Sequence, residues 1–563
     1  MMADMVMRNG RIYTMDEGFT VAEAIAIKDG EILWAGDGAD AGRFISKDTK
    51  VVDLGGKTVL PGLIDMHVHV PGNAYNALHN IDVYDAKTAE ETEEIIRDFI
   101  KTHPEKDMYY GKGFKTALFP GDEKIKGPRK ERLDAICSDK PIGIIDEGGH
   151  VIWLNSKGLE EAGITGTTED IPGGVIEKDA QGNLWGILKD EAKKLFKEQQ
   201  FSREEKIQAY QWFQDLMNSY GYTTVLAMRQ SASSDPVPIF DIMRYFEDGD
   251  KLFLRIDGAR EIKAVENKLS QIDDLERARR DLSTAGSCIR ATTAKFFLDG
   301  TVEGLSAFLK EPYCVEKDGE PYRGELLWDP VELTETFEEA LRRGFNIHIH
   351  GVGDGAVAVA VEALERAQCA VAGDHRNCIT HLQLVEDDDI RKMGELGMVA
   401  CVNTYWHLKD PSIYFDSEEV LLGEERAARE YPLKKLIDNG VLVTCSADYP
   451  SSPDPNPFFA IQAGVTRNLY DADYFGVGAI DDEDDPRWLL GPEERVSVED
   501  MVRAYTSNAA FAMHREQEIG TLEPGKKADM IIIDRDIFAI DHLDIEKTKV
   551  LETIFDGRVV YKA

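Results

Sequence analysis

Eight short apolar runs rich in β-formers recur through the chain, with amphipathic helical stretches between most of them. They are TVLPGLIDMHVHV (58–70), TTVLAM (223–228), LFLRIDGA (252–259), TTAKFFLDG (292–300), FNIHIHGVGD (345–354), NCITHLQLV (377–385), MVACVNTY (398–405) and VLVTCSADYP (441–450). Between them, VELTETFEEALRRG (331–344) and DDIRKMGELG (388–397) repeat apolar residues at helical spacing. Near-continuous apolar strands separated by helices imply a parallel sheet covered on both faces. Eight of them predict a closed (β/α)8 TIM barrel of the α/β class.

The 563 residues exceed the roughly 250 such a barrel uses, which leaves room for accessory parts. The stretch from 71 to 222 is too long for one crossover helix. It carries its own strand-like pieces, MYYGKGF (108–114), PIGIIDEGGHVIWLN (141–155) and GGVIEKD (173–179). It is therefore expected to be an insertion subdomain that follows the first barrel strand and covers the barrel mouth. The two ends, 4–60 and 519–563, share short alternating runs punctuated by DG, GG and PG turns. Neither end buries a good core alone. The expectation is a small β-sandwich made from both termini, with residues 1–60 and 511–563 flanking a barrel domain over 61–510.

Composition narrows the partners. With 65 Lys+Arg against 104 Asp+Glu, the formal net charge of −39 disfavours nucleic acid and anionic membranes. No run approaches the ~18 apolar residues of a membrane span. The start, MMADMVMRNGRIYTMDEG, lacks the basic and apolar regions of a signal peptide, so a cytoplasmic location is expected. Seven cysteines without a CxxC pair imply neither a disulfide framework nor a cysteine zinc site.

The chemistry-bearing residues sit on the barrel strands. The first ends in His67-Val68-His69, and residues i and i+2 of a strand point to one side. The fifth ends in His348-Ile349-His350, the sixth carries His381 and the eighth leads to Asp448. Each histidine alone would more often be a core group bonded to a carbonyl. Together they fall at the C-terminal strand ends, the face where barrel enzymes keep their sites. Lys295 lies inside an apolar strand, where a buried ammonium is costly unless paired or neutralised. Either desolvation leaves it neutral, or carbon dioxide carboxylates it to an anionic carbamate able to bridge two cations. The carbamate gives the position a function among four histidines.

PGLIDMHVHV, the barrel lysine, HIHGVGD, ITHLQLV, SADYP and the tail TSNAAFAMHREQEIGTLEPGKKADMIIID resemble the amidohydrolase superfamily. The insertion motif GGHVIWLNSKGLEEAGI (148–164) is similar to its amidohydrolase-3, YtcJ-like branch, which includes N-substituted formamide deformylases. The resemblance covers nearly the whole chain. It implies that His67, His69 and Asp448 bind one divalent metal and that His350 and His381 bind a second. Carboxylated Lys295 would bridge them. Because the family's fifth-strand ligand directly precedes the glycine-aspartate stretch, His350 takes that role and His348 stands behind it. Such donors suit zinc, with manganese, iron and cobalt as alternatives. Asp448 would serve as general base and acid in metal-assisted hydrolysis.

Further candidates are weaker. His150 is expected to donate to the developing oxyanion, or to tie the insertion to the barrel. Trp153, Asn155, Tyr405 and Trp406 are candidate substrate contacts, and His407 adjoins the last two. Asp299 and Asp354 either orient ligands from behind or cap the following helix. The expected activity is hydrolysis of an amide-type C–N bond of a small molecule. Rival readings are a deaminase, a cyclic-amide, ester or carbamate hydrolase on the same scaffold, or a non-catalytic assembly protein. Mononuclear deaminases of the superfamily lack the bridging lysine, and the intact ligand set opposes an assembly role. A homodimer is the usual form of such enzymes.

Overall fold

The computed structural model describes residues 1–563 apart from 198, 229–238, 283–285 and 318. The chain forms two compact units, one of residues 1–72 and 213–563, the other of residues 73–212.

The first unit contains an all-parallel eight-stranded sheet in chain order. Its strands are Leu63–Val68, Tyr222–Ala227, Arg255–Glu261, Ile289–Phe297, Asn346–Gly351, Cys378–His381, Val399–Val402 and Leu442–Cys445. Every expected barrel strand is present. All residues of the first, second, sixth and seventh strands are buried, as a sheet covered by helices requires. First and last strands approach through a side chain: Asp65 accepts from the Ala447 amide at 3.1 Å, and the His69 amide donates to the Tyr449 carbonyl at 2.9 Å. Helix Pro330–Arg342 shows how the outer layer is written. Asp329 caps it, Pro330 occupies its first turn, and Leu333, Phe337, Ala340 and Leu341 form its buried stripe.

The run expected as one strand over 58–70 is two. Thr58–Pro61 pairs antiparallel with Met530–Ile533, and the chain then passes through Gly62 into the barrel. A Cβ on Gly62 would lie 2.3 Å from Thr223 Oγ1, so only glycine permits this crossing. The terminal segments share one hydrogen-bonded eight-stranded sheet rather than two separate ones. Its long strand Met5–Tyr13 carries a register shift between Arg8 and Ile12. It pairs with Lys50–Asp53 at its start and with Thr58–Pro61 at its end. Apolar residues from both termini, including Met7, Ile25, Val59, Met530 and Ile554, fill one core cluster.

The second unit has its own six-stranded sheet, from Gly174–Lys178 at one edge to Ile81–Asp82 at the other. Trp153 enters one apolar cluster, while Ile152 and Leu154 enter another. This alternation marks a strand covered on both faces.

Candidate metal centre

The polar residues of the barrel strands converge at their C-terminal ends. His67, His69 and Asp448 each place one donor atom within 4.8 Å of the others. Asp448 Oδ1 lies 3.3 Å from His67 Nε2 and 3.2 Å from His69 Nε2. Two imidazole nitrogens and one carboxylate oxygen so placed offer three ligand atoms to one cation. Asp448 Oδ1 is buried without a hydrogen bond, so the donor set fits a divalent metal.

Neighbours select the nitrogen each imidazole offers. Asn403 Oδ1 accepts from His381 Nδ1 at 2.8 Å, which leaves Nε2 as the donor atom. The Asn403 amide is itself held by Ser446 Oγ at 2.8 Å. His350 Nε2 donates to the Gly300 carbonyl at 3.1 Å, leaving Nδ1. His67 Nδ1 pairs with His348 Nε2 at 2.9 Å, leaving Nε2 on the Asp448 side. His348 thus stands behind His67, on the side away from Asp448.

The His350 and His381 rings meet edge to face at 4.5 Å. No third histidine, cysteine or carboxylate joins them in a cluster among the described residues. Lys295 is fully buried, in register with His348. Its Nζ lies 4.8 Å from the Phe297 ring centre, and Phe297 is in register with His350.

Electrostatics favour neutral imidazoles. Burial, reinforced by the Lys295 charge, pushes His67 and His348 well below the usual histidine range. Burial does the same to His350, helped by His381 and then Lys295. His381 is pushed down to about 4, chiefly by burial. Burial alone would raise the Asp448 carboxyl, but His69, His381 and Lys295 hold it below its ordinary value. His67, His350 and His381 therefore each keep a free lone pair at neutral pH. His381 at φ +74° and Asp448 at φ +50° have left-handed backbone. Such strain costs of order 1–3 kcal/mol and concentrates at functional sites.

A cavity of about 470 Å³ opens over these residues. Tyr405 and Trp406 line it. Trp406 stacks on His381 with ring centres 5.6 Å apart and donates Nε1 to Ser452 Oγ at 3.1 Å. Asp299 accepts three backbone amides, from Phe308, Val352 and Gly353, and lies 3.9 Å from His350 Nε2. Burial pushes its carboxyl up to about 7. Asp354 accepts from the Lys310 and Gly355 amides and so pins a loop.

Two expected substrate contacts are corrected. Trp153 is fully buried in the second unit and gives its indole N–H to the Arg129 carbonyl at 3.1 Å. Asn155 caps helix Ser156–Glu161, and its amide donates to the Cys137 and Lys140 carbonyls. Both are consumed by their own unit, with no face left for a substrate. His150 belongs to that unit too, with its side chain 78% exposed and Nδ1 3.2 Å from Asp190 Oδ1.

Sequence reasoning passed over Asp65, Asn403, and the acids Glu303, Glu418 and Glu430. Asp65 was findable, because it shares strand parity with His67 and His69. Its carboxyl takes the His67 amide at 2.9 Å besides that of Ala447, and burial pushes it up to about 7.

Histidine and carboxylate donors at the C-terminal mouth of a parallel barrel define a metal-dependent hydrolase. The model of the Amidohydrolase family matches residues 50–561, and the chain belongs to that family. It is similar to Protein LONG AFTER FAR-RED 3 of Arabidopsis thaliana, 28% identical over 99% of this chain and 92% of that protein. Putative amidohydrolase YtcJ of Bacillus subtilis is 25% identical over 99% of both chains. The N-substituted formamide deformylase of Arthrobacter pascens is 24% identical over 100% of this chain and 99% of that one. Among solved structures, an uncharacterized metal-dependent hydrolase from Pyrococcus horikoshii shares the fold. Its TM-score is 0.74 at 24% identity, over 96% of this chain and 99% of that one. No described helix is long and apolar enough to cross a membrane.

Proposed function

We propose that the chain hydrolyses an amide-type C–N bond of a small molecule and that its active form holds two divalent metals, zinc by donor type. The observation that carries this reading is the convergence of His67, His69 and Asp448 beneath a cavity also lined by His350 and His381. His67, His69 and Asp448 would hold one ion, and His350 and His381 the other. The second pair lacks a third donor of its own among the described residues, and Lys295, if carboxylated, would supply one.

When bound, such ions acidify a water and polarise a carbonyl. The chain's own residues do the rest. Asp448, held ionised, takes a proton from the attacking water and passes it to the departing nitrogen, which leaves as an amine. Asn403, His348 and Gly300 keep the imidazole donors aimed while this happens. The deformylase relative supports the choice of bond, since its name specifies N-substituted formamides.

Protein purified without chelator should carry close to two divalent metals per chain. In that form it should turn over members of a panel of N-formyl, N-acyl, lactam and ester compounds. A preparation that never binds more than one metal, even with metal and bicarbonate supplied, overturns the binuclear site. Turnover of esters but of no amide overturns the bond assignment.

A further inference from the structure

The cavity has a second wall with a chemistry of its own. Glu303, Asp410, Glu418 and Asp454 line it in addition to Asp448, and no lysine or arginine does so among the described residues. Glu418 is buried, and its Oε1 accepts from Gln383 Nε2 at 2.8 Å. The same Gln383 nitrogen reaches Oε1 of Glu430 at 2.7 Å, and Glu430 Oε2 is buried with no hydrogen-bond partner. The nearby buried guanidinium, Arg467, directs Nε to the Leu490 carbonyl and Nη2 to the Glu430 carbonyl, both main-chain oxygens. One amide nitrogen therefore serves two buried carboxyls while Glu303 stands beside them. Burial pushes Glu418 up to about 8, with Glu303 adding to the effect. A carboxyl raised to about 8 is mostly protonated at neutral pH, and a cation entering beside Glu303 and Glu418 takes the place of that proton.

Aromatic rings define which kind of cation. Tyr405, Trp406, Phe459, Tyr470 and Tyr474 line the same cavity. Phe459 and Tyr470 stack at 4.7 Å, and Tyr474 lies 5.7 Å from Tyr470. A metal ion requires oxygen or nitrogen donors on all sides, whereas ring faces attract organic cations.

We infer that the substrate of this site carries an ammonium-type cation, received by the Glu303–Glu418 wall and the aromatic rings while its scissile bond lies at the histidine end. The inference rests on the hydrolase reading above, and it excludes substrates whose distal group is a carboxylate or phosphate.

The test is equilibrium binding to the metal-loaded full chain, by calorimetry, of three ligands of similar shape: benzylammonium, benzyl alcohol and phenylmethanesulfonate. Benzylammonium should bind at least tenfold more tightly than the alcohol, and the sulfonate more weakly than either. In the double variant Glu303→Gln/Glu418→Gln the preference for the cation should fall below threefold. Equal or tighter binding of the alcohol or the sulfonate by the unaltered protein overturns the inference and needs no variant. Survival of the cation preference in the double variant also overturns it. Turnover separates the two claims. Cation preference without hydrolysis of any amide refutes the reaction and leaves the wall assigned. Hydrolysis without cation preference, in binding or in kcat/KM, does the reverse.

Discussion

The barrel mouth and the 73–212 unit both carry histidine and asparagine in conspicuous motifs, yet they treat them in opposite ways. In the barrel, His67, His350 and His381 are buried and hydrogen-bonded through one ring nitrogen, with the other nitrogen left open. In the other unit, Asn155 has its side-chain oxygen and nitrogen both taken by the main chain, and His150 stands in the open. A polar group that is buried and then left incomplete is held for something absent from the polypeptide. A polar group that is buried and complete holds the fold. Motif likeness alone does not separate the two.

The comparison can be broken at several points. The largest effect should come from Lys295→Met, which keeps the packing but removes the carbamate. Turnover should vanish and metal content fall, with partial return of both for Lys295→Ala supplied with formate or acetate. A fully active methionine variant would make Lys295 a packing residue. Asp448→Asn should keep the fold and at least one metal while kcat drops by about 10² to 10⁴. Near wild-type kcat would show that another group moves the proton.

Asn403→Ala should act through His381. Releasing its Nδ1 should weaken metal binding by about 10- to 100-fold, read by competition with a chelator, with a smaller effect on folding. An unchanged metal affinity would mean that His381 needs no orientation. In the other unit the pattern should reverse. Asn155→Ala should destabilise by roughly 1–3 kcal/mol in denaturant melts, because it strands buried main-chain groups. The kcat of the folded fraction should stay constant. His150→Ala should be the mildest, changing kcat by less than about threefold, as for a solvated side chain that bonds only another exposed group. A fall of about a hundredfold or more would instead establish the oxyanion role that its motif suggests.

The barrel was legible in the sequence because its strands are short, apolar and spaced by helices. Parity within a strand then aimed His67 with His69 and His348 with His350. Those are local properties of a chain with a two-residue repeat. The exchange of sheets at Gly62 was not legible, because its cause is the approach of Thr223, more than 150 residues away in sequence. Nor was the choice of nitrogen on each imidazole, which Asn403, Gly300 and His348 make from other strands and loops. Trp153 and Asn155 read as functional in one dimension and proved structural in three, because burial is a property of neighbours and not of motifs. The acid wall was the least visible. Glu303, Gln383, Glu418 and Glu430 come from four separate segments, and in sequence each looks like one more solvated residue of an acidic protein. Only tertiary packing removes the water around Glu418 and Glu430, and that removal raises both carboxyls, while Glu303 and Glu418 line the cavity.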